Sequence, residues 1–272
     1  MKIAVHITFF YNKSRFKYIK EVVENLLEID YLVDIFIYTN KKFDLFENIG
    51  NVNLLIYPYL SSKILKFPFN SIFNNWGLKQ LIHPYYLTWE HRKIVVENID
   101  QYDIQIYLED DIKFTSDNLK YWLAYNEIVL SSGYNLGFLR TEFDGSNKFI
   151  TDLTKPLTNI ISINEQKFIV NDNNPYCGFW MYSKKELKEF IKSEEWFFKY
   201  KQYGIREKAA IGWHGKNMTR YKNTIIPLIE NNNELETIFH SNVHHLPNNY
   251  INHKFFCKIK FPIIIANLNN KI

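Results

Sequence analysis

The first 112 residues alternate between two hydrophobic periods, and few folds accommodate that pattern. KIAVHITFF (2–10) is rich in β-branched and aromatic residues over the length of a strand. SRFKYIKEVVENLLEI (14–29) sets Phe16, Ile19, Val22, Val23, Leu26 and Leu27 on one helical face, with Ser14 as candidate N-cap. VDIFIYTN (33–40) and NVNLLIYPY (51–59) read as strands, and TWEHRKIVVENI (88–99) as a helix capped by Thr88. DIQIYLEDDI (103–112) is a fourth strand, and a helix over 116–132 follows with Ser116 as its cap. Strands alternating with helices predict βαβ units with right-handed crossovers, hence an α/β fold with a mostly parallel central sheet flanked by helices. In such sheets ligands collect beyond the carboxyl ends of the strands. Thr39, Asn40, Glu109, Asp110 and Asp111 all fall at such ends.

The second half is less regular. YNLGFLRTEF (134–143) reads as a strand, and NDNNPYCGFWMYS (171–183) as a polar turn feeding a short strand. Helices are expected over 184–198 and 205–214, and a strand at TIIPLI (224–229). No repeat or low-complexity linker divides the 272 residues, so one compact domain with a sizeable core is expected.

Composition removes several classes. With 46% apolar residues the chain is not a disordered one. A surplus of 22 Phe and 19 Tyr suits a core or a groove lined for sugars, bases or partners. The balance of 33 basic against 29 acidic residues, +4 overall, is too even for a duplex nucleic-acid binder. Cys177 and Cys257 stand far apart, outside any CxxC pattern, so neither a disulfide framework nor a cysteine zinc site is supported. The N-terminus reads as a strand without a leader's cleavage site, and no stretch reaches the roughly 18 apolar residues of a spanning helix. A cytoplasmic location is the expectation.

The chemistry concentrates in YLEDDI (107–112). Carboxylates behind an apolar strand cost free energy unless water, a cation or a donor compensates them. Along a strand Glu109 and Asp111 point one way and Asp110 the other, but at a strand end all three can reach one ligand. Clustered carboxylates suit Mg²⁺ or Mn²⁺, which bind through one or two of them plus substrate phosphates. A solvated acidic turn accounts for three adjacent acids equally well.

The placement of that run, with the late pair His244 and His245, resembles the GT-A superfamily of nucleotide-sugar-dependent glycosyltransferases. Their DxD metal motif closes a strand in mid-domain and often takes the form EDD. The resemblance implies one Rossmann-like GT-A domain over 1–250, with a nucleotide-binding half (1–115), an acceptor and donor-sugar half (116–250), and a basic, apolar tail (251–272). It implies that Asp111 binds the metal, Mn²⁺ or Mg²⁺, while Glu109 and Asp110 meet the ribose or donor sugar. A late histidine completes the metal set, His244 ahead of His245. Arg92, with His91 as second choice, and Thr39 would face the nucleotide, and UDP is favoured. Gly178 and Trp180, with Tyr176 and Phe179 around them, would meet the donor sugar.

Inverting members place a carboxylate base at a helix start, often as an acidic pair. Here Glu207 stands alone with Lys208 beside it, and Glu142 and Asp144 are reserves. Without a base, retention of configuration gains ground. The implied acceptor is a surface or lipid-linked glycan, and HKFFCKIKFPIII (253–265) suits peripheral contact with an anionic membrane.

Each assignment has a plainer counterpart. Arg92 or Lys93 could pair with Glu90 or Glu97, Phe179 and Trp180 could be core, and the two histidines could be surface residues. Glu207 could simply favour a helix N-terminus, and 253–265 could be a strand. A nucleotidyltransferase or phosphohydrolase would also use clustered acids, but should show a glycine-rich phosphate loop, of which nine glycines give little sign. A non-catalytic carbohydrate-binding protein on the same fold would keep the aromatics without needing the acids.

Overall fold

The computed structural model describes residues 1–58, 84–197, 204–212 and 224–266. The ends of the expected strand 51–59 and of the expected helices 184–198 and 205–214 lie outside them. The chain forms two compact units, each built from two separate stretches: Met1–Asp110 with Phe179–Gly212, and Asp111–Gly178 with Trp213–Ile272.

The first unit opens with β1 (Lys2–Phe9), α1 (Phe16–Leu27), β2 (Leu32–Thr39) and β3 (Val52–Ile56). A 3-10 turn at Pro84–Trp89 leads into α2 (His91–Glu97), and then comes β4 (Ile104–Glu109). The chain next builds part of the second unit: β5 (Ile112–Lys113), α3 (Ser116–Ser131), β6 (Asn135–Leu136) and β7 (Leu139–Phe143). β8 (Lys148–Ile150), β9 (Ile160–Ile163) and β10 (Gln166–Val170) continue it. It returns to the first unit with β11 (Phe179–Ser183), α4 (Lys184–Phe190) and α5 (Ile205–Ile211). The second unit closes with β12 (Thr224–Asn231), β13 (Glu234–Thr237), β14 (Asn242–His245), β15 (Ile259–Phe261) and β16 (Ile264–Ala266).

The first unit has the expected α/β character. Its sheet runs β11-β4-β1-β2-β3, parallel throughout except where β11 meets β4. Burial on both faces explains the apolar runs that marked these strands. One face carries Val5, Ile7, Ile35, Ile37, Ile106 and Leu108, all fully buried. Phe9, at the end of that face, packs on Phe16 at the start of α1, with ring centroids 5.8 Å apart. The other face is polar and aromatic: His6, Tyr38, Gln105, Tyr107 and Trp180. There His6 binds the Tyr38 hydroxyl through Nδ1 and Gln105 Oε1 through Nε2, each at 2.9 Å. Gln105 in turn donates to the Val95 carbonyl of α2 at 3.2 Å. Ser14 does not cap α1; Asn12 accepts from its backbone N–H in a preceding 3-10 turn, and α1 starts without a side-chain cap.

The second unit is mostly antiparallel, which the expectation of a parallel sheet did not cover. One sheet runs β16-β13-β12-β10-β9 with β6 beside β12, the other β15-β8-β7-β14-β5. Leu139, Ile150, Ile169, Ile226, Leu228 and Phe261 belong to one buried apolar cluster. Thr115, not Ser116, caps α3, in a capping box with Asn118. The single strand expected over 134–143 is broken at Gly137, where any side chain would collide with Thr224 and Ile226. The C-terminal segment supplies β15 and β16, which hydrogen-bond to β8 and β13. No helix among the described residues is long and apolar enough to cross a membrane.

Candidate functional site

β4 delivers the acidic run, and strand alternation sorts its members. Tyr107 and Glu109 stand on the His6 side of the sheet and Leu108 on the apolar side, and Asp110 follows in the turn. Glu109 ends the strand opposite Thr8 of β1. Asp110 meets Arg15, whose Nε donates to Oδ2 at 2.9 Å and Nη2 to Oδ1 at 2.7 Å. That two-pronged pair ties the end of β4 to the turn before α1. Asp110, expected to meet the donor, is held here by Arg15.

The division between the units falls immediately after Asp110, and Asp111 opens the second. Asp111 is 7% exposed, and its carbonyl accepts the Leu246 N–H at 2.9 Å. β5 pairs antiparallel with β14, setting His245 against Ile112 and His244 against Lys113. That register brings His245 to Asp111, with Nε2 3.4 Å from Oδ2. His244 turns the other way, and its Nε2 lies 2.9 Å from Asn248 Oδ1. The histidine beside Asp111 is thus His245, where the sequence favoured His244.

On its far side β14 lies parallel to β7, and His245 Nδ1 meets Glu142 Oε1 at 2.6 Å. Glu142 Oε2 accepts the Tyr250 backbone N–H at 2.7 Å. The Tyr250 ring stacks on His245, 5.4 Å between centroids at 25°. Burial disfavours the charged imidazole, but the bonds to Asp111 and Glu142 outweigh it and leave the His245 pKa above its ordinary value. Nearby Arg140 is neutralised by Asp152 through two bonds of 2.8 Å.

This donor set can take a divalent ion. Two ligands of one ion at about 2.1 Å, some 90–110° apart, stand roughly 3.0–3.5 Å from each other, and Asp111 and His245 match that spacing. Among the described residues no group of three or more His, Cys, Asp or Glu side chains is arranged to hold a metal. Phosphate oxygens and water would have to complete the shell, as Mg²⁺ and Mn²⁺ accept.

The other expected site residues are mostly structural. Thr39 is fully buried, and its hydroxyl donates to the Lys41 carbonyl at 3.2 Å in the turn after β2. Arg92 does not face solvent. Its guanidinium lies among Trp89, Trp180, Phe190 and Trp196, 4.1–5.8 Å from their centroids, with no hydrogen-bond partner among the described residues. Burial lowers its pKa to about 9. The ion pair expected on α2 joins Lys93 to Glu97, at 3.8 Å. His91, the second choice there, is buried, and its Nδ1 meets the Thr88 carbonyl at 2.7 Å.

Trp180 is 3% exposed, and its indole donates to the Ala209 carbonyl at 3.0 Å, so it is core and not a sugar platform. Gly178 adopts φ 78°, a left-handed turn into β11 that glycine makes at little cost. Glu207 sits in the first turn of α5 with its carboxylate folded over Gly204 and 3.9 Å from Arg206. Asp144 accepts the backbone N–H groups of Ser146 and Asn147, shaping the turn between β7 and β8. Arg15 and Tyr250 were not foreseen, and Glu142 was foreseen only as a reserve base.

No protein-family model matches the chain, and a search of curated proteins found no match. Among solved structures it is similar to S. aureus TarS 1-349 in complex with UDP-GlcNAc: 11% identity, TM-score 0.43, covering 82% of this chain and 58% of that one. It thus spans less than two thirds of that protein's length. It is also similar to CMP:2-keto-3-deoxy-manno-octonic acid synthetase complexed with CTP (11% identity, TM-score 0.36, covering 71% and 78%). The glycosyltransferase GlyE of Streptococcus pneumoniae TIGR4 is a third (12% identity, TM-score 0.33, covering 79% and 44%).

Proposed function

We propose that this protein is a metal-dependent GT-A-type glycosyltransferase that moves a sugar from a nucleotide sugar, UDP-linked in the first instance, to a hydroxyl of a glycan. The observation that carries this reading is the pairing of Asp111, at the end of the EDD run, with the late histidine His245 at 3.4 Å. A bare acidic turn needs no such partner. Asp111 and His245 would hold the divalent ion, which when bound neutralises charge on the departing diphosphate. Glu109 stays a candidate for the ribose or donor sugar.

For an inverting reaction Glu207 stays the base candidate, because Glu142 is buried and Asp144, though exposed, is engaged by backbone N–H groups. The Glu207 side chain is 35% exposed. Placement in the cytoplasm against the inner face of the membrane belongs to the same proposal. It is supported by Phe255, 61% exposed beside Lys254. A surface or lipid-linked glycan is then the acceptor.

The test is a transfer assay over a panel of nucleotide sugars with Mn²⁺, on wild type and Asp111→Ala. One donor is expected to turn over, and the variant to lose ~3 kcal/mol of transition-state stabilisation, about 100-fold in rate. Turnover unchanged in Asp111→Ala would overturn the proposal.

A further inference from the structure

The geometry points to Glu142 as the positioning residue of this site, fixing the His245 ring so that Nε2 alone faces Asp111. This inference rests on the metal-binding reading of Asp111 and His245 above. Glu142 is 0% exposed, and a carboxylate so sealed must be compensated by donors. Two nitrogen donors serve it, His245 Nδ1 at 2.6 Å on Oε1 and the Tyr250 N–H at 2.7 Å on Oε2, with the Cys257 thiol as a longer third. The Cys257 sulfur lies 3.8 Å from Oε2 and closes the remaining side.

An ionised carboxylate only accepts, so the neutral imidazole beside it carries its proton on Nδ1. Were an ion held beside Asp111, Nε2 would then be the ring nitrogen free to offer it a lone pair. Backbone pairing sets this contact, since β7 and β14 lie side by side, and the stacked Tyr250 ring holds the imidazole plane. Metal-bound histidines commonly carry such a carboxylate, whose loss costs about 10–100-fold in affinity. The rival account is a buried ion triad in which Glu142 merely stabilises the fold.

Glu142→Gln separates the two. Glutamine has one acceptor oxygen for two donors. If that oxygen stays with the Tyr250 N–H, its amide must donate to Nδ1, which moves the imidazole proton to Nε2 and blocks the ion. Mn²⁺ binding to the full chain, in the presence of UDP, is followed by the loss of the free-ion paramagnetic resonance signal. Wild type, Asp111→Ala, His245→Ala, Glu142→Gln and the Glu142→Gln/His245→Ala double variant are compared, each with a thermal melt.

The expected result is Mn²⁺ binding that depends on Asp111, weakened about 10–100-fold in folded Glu142→Gln, with the double variant no worse than His245→Ala. If Glu142→Gln fails to fold, Glu142→Asp replaces it; it keeps both acceptors on a shorter arm, and weaker binding is again expected. A folded Glu142 variant that binds Mn²⁺ as wild type does would overturn the inference and leave the functional reading standing. Wild type that takes up no Mn²⁺, or does so independently of Asp111, would overturn both.

Discussion

His6 sits in the middle of β1 with both ring nitrogens occupied, Nδ1 by Tyr38 and Nε2 by Gln105. Burial lowers its pKa to about 4, and it lowers that of His91 well below the ordinary range. The unfolded chain takes up protons near pH 6.5 while the folded one does not. Stability is therefore complete above that pH and is lost as pH falls toward 4. His6 alone accounts for about 3 kcal/mol over that span. Melting temperatures measured from pH 7 to 4.5 should fall less steeply for His6→Gln than for wild type; parallel curves would contradict the assignment.

At this scale the sequence showed which residue types to look at but not which way they point. The acidic run was visible. That Asp110 goes to Arg15, 95 positions away, was not. Arg92 looked like a solvent-facing residue because helical position says nothing of Trp180, Phe190 and Trp196, which distant segments bring to it beside nearby Trp89. The choice between His244 and His245 depends on the register of β14 against β5, a tertiary fact.

Secondary-structure elements were most legible where period and burial agree. β1, α1, β2 and β4 appear within a few residues of the expected ranges, because parallel strands buried on both faces leave apolar runs that one sequence displays. β9, β10, β13 and β14 are short, and their mixed polarity left no comparable signal. The C-terminal segment is the instructive case. Its alternation of cations and large apolar groups suits both a membrane-facing tail and a strand, and here Ile259–Phe261 and Ile264–Ala266 are strands. Phe261 is buried with Leu139 and Ile150, so Phe261→Ala should cost about 3 kcal/mol or more in denaturant unfolding. A change within ~0.5 kcal/mol would mean that the segment adds nothing to the core and serves as an appendage.

Across the whole molecule, the βαβ alternation foretold the first unit and its largely parallel sheet, because crossover helices leave a regular trace. The second unit pairs strands far apart in sequence, and its antiparallel sheets left no such trace. The candidate metal site belongs to that second unit. Asp111 comes from the segment after β4, Glu142 from β7 and His245 from β14, 134 positions beyond Asp111 at the far ends of the set. The central claim is that this assembled pair binds a nucleotide through a divalent ion, and calorimetric titration of nucleoside diphosphates with and without Mn²⁺ tests it most directly. The account predicts that one nucleotide, UDP first, binds wild type only with Mn²⁺ and does not bind Asp111→Ala. Binding that ignores both the ion and the substitution, or no binding by any nucleotide, would contradict it and leave the acidic run a structural one.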